Sequence, residues 1–191
     1  MILLVGLGNP GSGYAATRHN VGFRVVDAFV ARHGANGFRA RFDGELTQLD
    51  VAGERVVILK PMTYMNRSGH SVRAALAFYK LAPATLLVVH DELDLEPGDV
   101  RLKFGGGEAG HNGLKSISEQ LGTNEYARLR CGIGRAPGGA STTSDYVLSA
   151  FPLADQTVVE EMVGKAVEVI GHVIERGISS AMNVANRRPK P

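Results

Sequence analysis

Ile2-Leu3-Leu4-Val5-Gly6-Leu7-Gly8-Asn9-Pro10-Gly11 reads as one strand and one sharp turn. Four aliphatic residues without alternation mark a strand buried on both faces. Gly-Asn-Pro-Gly stops it, because Pro supplies no N–H and Gly supplies the backbone freedom of a tight turn. A strand that ends this way delivers the next side chains to the edge of a sheet, where α/β proteins place their chemistry. The following loop carries Tyr14, Arg18, His19 and Asn20. Polar groups concentrated just past a buried strand indicate a site.

Further along, Asn20 is placed to cap a helix running to about His33, with Val21, Val25, Val26, Phe29 and Val30 on one face and Gly34 as its stop. Residues 46–51 and 55–60 are β-rich and flank Ala52-Gly53-Glu54, a hairpin signal. An amphipathic helix is expected over 68–80, with Val72, Leu76 and Tyr79 in its stripe. Residues 86–90 form a continuous apolar run, as in a central strand, and 99–104 form a shorter strand. Residues 105–110 are too rich in Gly for regular structure; a helix over 113–121 and a strand over 127–133 follow. A mobile loop is expected over 137–141. The longest helix is expected over 153–176, with Val158, Met162, Val169, Ile170 and Val173 inward. The tail, 186–191, is basic and expected to fray. Strands alternating with helices give an α/β protein, and the hairpin makes the sheet mixed. The expectation is a single domain over 1–191, a twisted mixed β-sheet with helices on both faces, in which 146–191 form a helical part with a lid and a basic tail.

The chain has 191 residues, enough to bury a core without disulfide staples, and a net charge of only +2. One cysteine excludes an internal disulfide framework, and no apolar run approaches the roughly 20 residues of a membrane span. Met1 leads straight into the first strand without the pattern of a signal peptide. A soluble, cytoplasmic protein is expected.

Four loops carry polar residues of one kind: Asn9 with His19; Met62-Thr63-Tyr64-Met65-Asn66-Arg67-Ser68-Gly69; His90-Asp91-Glu92-Leu93-Asp94; and His111-Asn112-Gly113. A neutral His takes a proton from water when a carboxylate fixes its tautomer and steadies the imidazolium. Asp91 leaves the most apolar strand, where a carboxylate is held rigidly. Asn offers a donor and an acceptor without titrating, suited to orienting a water or a developing oxyanion. Taken singly, Asn20 and Asn66 also read as helix-cap residues.

Competing motifs are weaker. Gly6-Leu7-Gly8-Asn9-Pro10-Gly11 fits the dinucleotide fingerprint, but Pro10 and Gly13 prevent a helix from opening there. His111-Asn112 stands where a phosphate loop needs Lys-Ser/Thr, although the backbone of 105–110 could cradle a phosphate. His90 and Asp91 point to opposite faces of a strand and cannot chelate together, and no metal is expected. Cys131 reads as core, and His33, His70 and His172 as surface or helix-end residues. Lys103, Arg128, Arg130 and Arg135 fall on or beside neighbouring strands, with Lys115 on the helix between; most read as a solvated face, and any pair meeting near the Gly loop would clamp a phosphate.

The segments together resemble the bacterial-type peptidyl-tRNA hydrolases. The matching stretches run from Val5 to Gly11 and Tyr14 to Gly22, then Lys60 to Gly69, His90 to Leu95, Gly110 to Ile117 and Arg128 to Arg135, in order over about two-thirds of the chain. The resemblance implies hydrolysis of the ester joining a peptide to the 3′-terminal ribose of tRNA. It implies His19 as the base that activates water, Asp91 as its orienting carboxylate, and Asn9 as holding the peptide and rejecting free aminoacyl-tRNA. Asn66 and Asn112 would bind the 3′ CCA end or peptide backbone and position water, His111 stands among the substrate-binding residues with its role left open, Tyr14 and Tyr64 would line the groove, and Met65 would form its apolar wall. Lys103 and Arg135 would clamp the 5′-phosphate of the acceptor stem. No cofactor or metal, no membrane and a monomeric state are implied. Three departures stand out: Glu92 stands where Asp is commoner, Ala109 replaces a Gly common before Gly-His-Asn, and Ala136 follows Arg135 where Pro is usual, which bears on the shape of the Arg135 loop. Two further readings remain open: a nucleic-acid-binding module without catalysis and a dinucleotide-dependent oxidoreductase.

Overall fold

A computed structural model describes residues 1–34, 37–136 and 142–187. The opening run is strand β1 (Ile2–Gly6), which lies at the centre of a seven-stranded sheet. Its neighbours are β4 (Glu54–Pro61) and β5 (Leu86–Glu92), both parallel to it. β7 (Ala127–Gly132) adds parallel to β5. Antiparallel strands close both edges: β2 (Arg39–Arg41) and β3 (Gly44–Val51) beyond β4, and β6 (Val100–Phe104) beyond β7. The order is β2-β3-β4-β1-β5-β7-β6. Because β1, β4, β5 and β7 are mutually parallel, their C-terminal ends open at one edge, and the loops that leave them meet there.

Helices cover both faces, as expected. On one face α1 (Val21–Arg32) and α5 (Gln156–Arg176) pack Val25, Val26, Phe29, Met162, Ile170 and Val173 against Leu4, Ile58, Val89 and Leu129. On the other, α2 (Ser68–Tyr79) and α3 (Asn112–Leu121) pack Val72, Leu76, Leu114 and Ile117 against Leu3, Val5, Leu59 and Val88. Each fully buried aliphatic side chain is worth about 1.5–3 kcal/mol relative to exposure. Gly6 and Gly22 let α1 touch β1 backbone to backbone: a Cβ on Gly6 would collide with Gly22 O, and one on Gly22 with Leu7 N. These glycines therefore serve close packing. No helix opens at Gly8 or Gly11, and α1 starts only at Val21, which removes the anion-binding helix end that a dinucleotide site needs.

The sequence reading departs from the structure at particular points. β2, α4 (Thr143–Val147) and α6 (Ile178–Ala185) were not anticipated; each is short or follows closely on another element. Val158 is exposed, not inward: α5 starts at Gln156, so Val158 lies in its first turn over Gly98, and Val159 takes the buried position. Asn20 makes no side-chain cap for α1; its amide is used elsewhere. Cys131 is buried, as expected. The loop expected over 137–141 and the tail beyond 187 lie outside the described residues. Among the described residues no helix is long and apolar enough to cross a membrane.

Candidate active site

A cleft of about 560 Å³ opens at the C-terminal edge of the parallel strands. Its floor is built from β1 and β5. Asn9, just past β1, is held by a two-bond clamp: its N–H donates to Asn20 Oδ1 (2.9 Å) and its carbonyl accepts from Asn20 Nδ2 (2.9 Å). The Asn9 side chain accepts at Oδ1 from the Met65 N–H (2.8 Å). That bond fixes the amide's orientation and leaves Nδ2, a donor, for the cleft.

His19 sits in the 3-10 turn Arg18–Asn20, immediately before α1. Its Nδ1–H donates to Asp91 Oδ1 at 2.9 Å, which turns Nε2 to the far side of the ring. Asp91, near the end of β5, is buried, and the same Oδ1 accepts from His111 Nε2 at 2.9 Å. Burial by itself would raise the Asp91 pKa; the two imidazoles outweigh burial and hold the carboxyl well below the usual range. His90, on β5, donates Nδ1–H to Asp91 O (2.7 Å). Burial, reinforced by the neighbouring His111, pushes its pKa down to about 3, so His90 is neutral at working pH.

His19, Asp91 and His111 place three ligand atoms within 4.8 Å of one another, a grouping that could hold a metal. The hydrogen bonds argue otherwise. His111 Nδ1 accepts from the Gly113 and Leu114 amides (3.1 and 3.4 Å), so the neutral ring carries its proton on Nε2, facing Asp91. A metal at Nε2 would require that proton to leave while Nδ1 still faces two N–H donors. The donor set is matched to protons.

Tyr64, Met65 and Asn66 line the cleft from the turn that opens α2, and Asn112 from the start of α3. Met65 is buried, while Tyr64 is 61% exposed at the rim. Tyr14, expected in the groove, is not a lining residue: its carbonyl accepts from Thr17 Oγ1 (2.8 Å) and stabilises the turn leading to His19. Lys103 and Arg135 do not share one wall. Arg135 lines the main cleft and is ion-paired with Asp94. Lys103 lines an adjoining cavity with Arg128 and Arg130. Arg128 is buried, its guanidinium donating to Gly106 O and Gly107 O (2.7 and 2.6 Å), and Arg130 Nε donates to Glu92 (2.9 Å).

Another wall comes from α4, which supplies Thr143, Ser144 and Val147, and from Leu148 at its C-cap. Its sequence signal is Thr142-Thr143-Ser144-Asp145, a capping box: Thr142 Oγ1 accepts from Asp145 N while Asp145 accepts from Thr142 N. Arg18 ties this wall to His19. Its Nη1 donates to Ser149 O, Ser149 Oγ and Ala150 O (3.2, 2.6 and 2.8 Å), and its guanidinium lies 4.3 Å from the Tyr146 ring centre. Neither Arg18 nor Asn20 was assigned these roles from sequence, because both contacts depend on segments that only the fold brings together.

The site is thus a carboxylate-backed imidazole with a fixed amide donor, in a cleft with an apolar wall and cations beside it. Comparisons with known proteins show what the whole chain is similar to. A family model described as peptidyl-tRNA hydrolase matches residues 3–191. A peptidyl-tRNA hydrolase of Sorangium cellulosum is 51% identical over 192 residues, covering 100% of this chain and 86% of the relative. One from Anaeromyxobacter dehalogenans is 49% identical over 190 residues, covering 100% and 98%. The crystal structure of peptidyl-tRNA hydrolase from Acinetobacter baumannii superposes with a TM-score of 0.90 at 40% identity, covering 100% of this chain and 97% of that one. A peptidyl-tRNA hydrolase crystallised with N-propanol gives 0.91 at 39%, with the same coverage. A match of this extent, at this identity and on this fold, makes the chain a member of the peptidyl-tRNA hydrolase family.

Proposed function

We propose that this chain hydrolyses the ester between a peptide and the 3′-terminal ribose of tRNA, returning the tRNA to translation in the cytoplasm. The observation that carries this reading is the His19 Nδ1–H···Asp91 Oδ1 bond at the floor of the cleft, beside the fixed amide of Asn9. With Nδ1 on Asp91, His19 Nε2 takes a proton from water as the water oxygen attacks the ester carbonyl carbon. Asp91 steadies the imidazolium that forms. The tetrahedral intermediate collapses, the ribose 3′-oxygen leaves, and the imidazolium returns its proton to that oxygen. Asn9 Nδ2 donates to a peptide carbonyl, a contact a free aminoacyl group cannot complete.

Asn66, Asn112 and Tyr64 receive the 3′ CCA end, the Tyr64 ring offering a face for a base to stack on. Met65, Val147 and Leu148 support an apolar place for the peptide. The acceptor-stem 5′-phosphate is taken by Lys103. Support for this comes from the second cavity, where Arg128 and Arg130 are already bonded to loop carbonyls and to Glu92, whereas Lys103 has no carboxylate partner among the described residues. Arg135 joins as a second cation at the cleft mouth on release from Asp94. The enzyme works as a monomer and without a metal.

The test is to incubate EDTA-treated protein with N-acetyl-aminoacyl-tRNA and with unblocked aminoacyl-tRNA. Cleavage of the blocked substrate alone is the expected result. tRNA binding that weakens with salt but no ester cleavage would make the chain a binding module.

A further inference from the structure

His111 joins a helix to a carboxylate. On one edge of its ring, Nδ1 accepts from the first amides of α3 that lack an intrahelical partner, Gly113 N (3.1 Å) and Leu114 N (3.4 Å). On the other, Nε2 donates to Asp91 Oδ1 at 2.9 Å. A nitrogen that accepts from amides carries no proton, so α3 itself dictates the tautomer that faces Asp91. The oxygen receiving that proton is the one that also receives the His19 Nδ1–H. The two rings lie 4.9 Å apart and share a single acceptor atom.

We propose that His111 is a positioning residue: locked by the α3 amides as an Nε2–H donor, it occupies one side of Asp91 Oδ1, fixes where the carboxylate points, and moderates its pull on the His19 ring. The proposal deepens the hydrolytic reading and rests on His19 acting as base. Remove the His111 donor and Oδ1 keeps only one partner. The carboxylate can then rotate, and its charge falls on His19 alone. The imidazolium form of His19 persists to higher pH, and less neutral base is present at a given pH below the limb.

Other groups around Asp91 do not substitute for His111. His90 on β5 gives its Nδ1–H to the Asp91 carbonyl and meets His111 edge-on at 5.0 Å. Cys131 lies opposite Asp91 on β7, with its buried thiol pushed up to about 12. Arg128 on β7 is bonded to Gly106 and Gly107, and Glu92 to Arg130. Among the described residues only His19 and His111 donate to Oδ1.

Two substitutions separate the helix cap from the carboxylate contact. His111→Asn places an amide oxygen near Nδ1 and keeps the cap, but its short side chain leaves Asp91 without the donor. His111→Gln places an amide N–H near Nε2 and keeps the donor, but gives up the cap. The readouts are kcat/KM against pH on N-acetyl-aminoacyl-tRNA, NMR titration of the His19 ring in the free protein, and the melting temperature. For His111→Asn the expected result is an acid limb moved up by about one pH unit, the His19 ring titration moved with it, and near-wild-type melting. At pH below the limb, the rate falls by on the order of 10-fold. For His111→Gln the limb stays in place while melting falls. A His111→Asn variant with the wild-type limb and ring titration would overturn the proposal, as would equal loss in both variants with no limb shift. A His19→Ala enzyme that turns over normally would instead overturn the assignment of His19 as base, whereas the ring titration in the free protein reads the His111–Asp91–His19 coupling independently of turnover.

Discussion

Replacing Asp91 by Asn removes a charge while nearly preserving shape. In the native site Asp91 Oδ1 accepts from His19 Nδ1 and His111 Nε2, both at 2.9 Å, and the carboxyl is buried. Hydrogen bonds to a charged partner contribute about 1.5–3 kcal/mol, roughly twice a neutral pair. The imidazolium formed during water attack loses this partner's charge at contact distance, about 4 kcal/mol at an effective dielectric of about 20. A loss of about 2–4 kcal/mol in transition-state stabilisation is therefore expected, or about 30- to 1000-fold in rate. The assay is single-turnover cleavage of N-acetyl-aminoacyl-tRNA at saturating enzyme, where chemistry is read apart from tRNA binding. Binding stays within about threefold, since Asp91 is buried beneath His19 and carries no phosphate contact. An Asp91→Asn enzyme that cleaves within about threefold of wild type from pH 5 to 9 would refute the reasoning, because the carboxylate would then give no help to the base.

Arg18→Gln removes three side-chain hydrogen bonds and the stacking on Tyr146 that hold the α4 wall. Local stability of 143–150 should fall by about 2–4 kcal/mol, read as faster amide exchange there with a raised KM; unchanged exchange would contradict the tether. His90→Gln should flatten the acid side of the stability curve. Its native pKa lies near 3, below the usual value, so between about pH 6.5 and 3 the unfolded chain binds a proton that the native state does not. Stability is then lost as pH falls through that window, by up to about 1.4 kcal/mol per pH unit from this group, and chemical denaturation across the window checks the slope.

The sheet edge that carries the candidate site was legible because it depends on local signals that tertiary packing does not override. Ile2–Val5 and 86–90 are continuous apolar runs, 127–133 reads as a further strand, and a parallel arrangement sends Asn9, Asp91 and the loop after β7 to one edge. That His19 meets Asp91 was carried by family resemblance, since 72 positions separate them and no periodicity links them. Asn20 was misread for a physical reason. An Asn before a helix is a good cap locally, but here Asn9's backbone competes for its amide and wins with two bonds. Tyr14 does not line the cleft; its N–H donates to Gly11 O and its carbonyl accepts from Thr17 N and Thr17 Oγ1 in the turn before His19. α4 is too short for periodicity, and only its capping box announces it. The separation of Lys103 from Arg135 follows from strand register: Lys103 pairs with Arg128 across β6 and β7, which directs it to the second cavity.

Single-turnover cleavage of N-acetyl-aminoacyl-tRNA by His19→Ala tests the role of His19 as the base. With His19 as base, the rate falls by on the order of 10²–10⁴ and tRNA binding is retained. Turnover at the wild-type rate by a folded His19→Ala protein would contradict it.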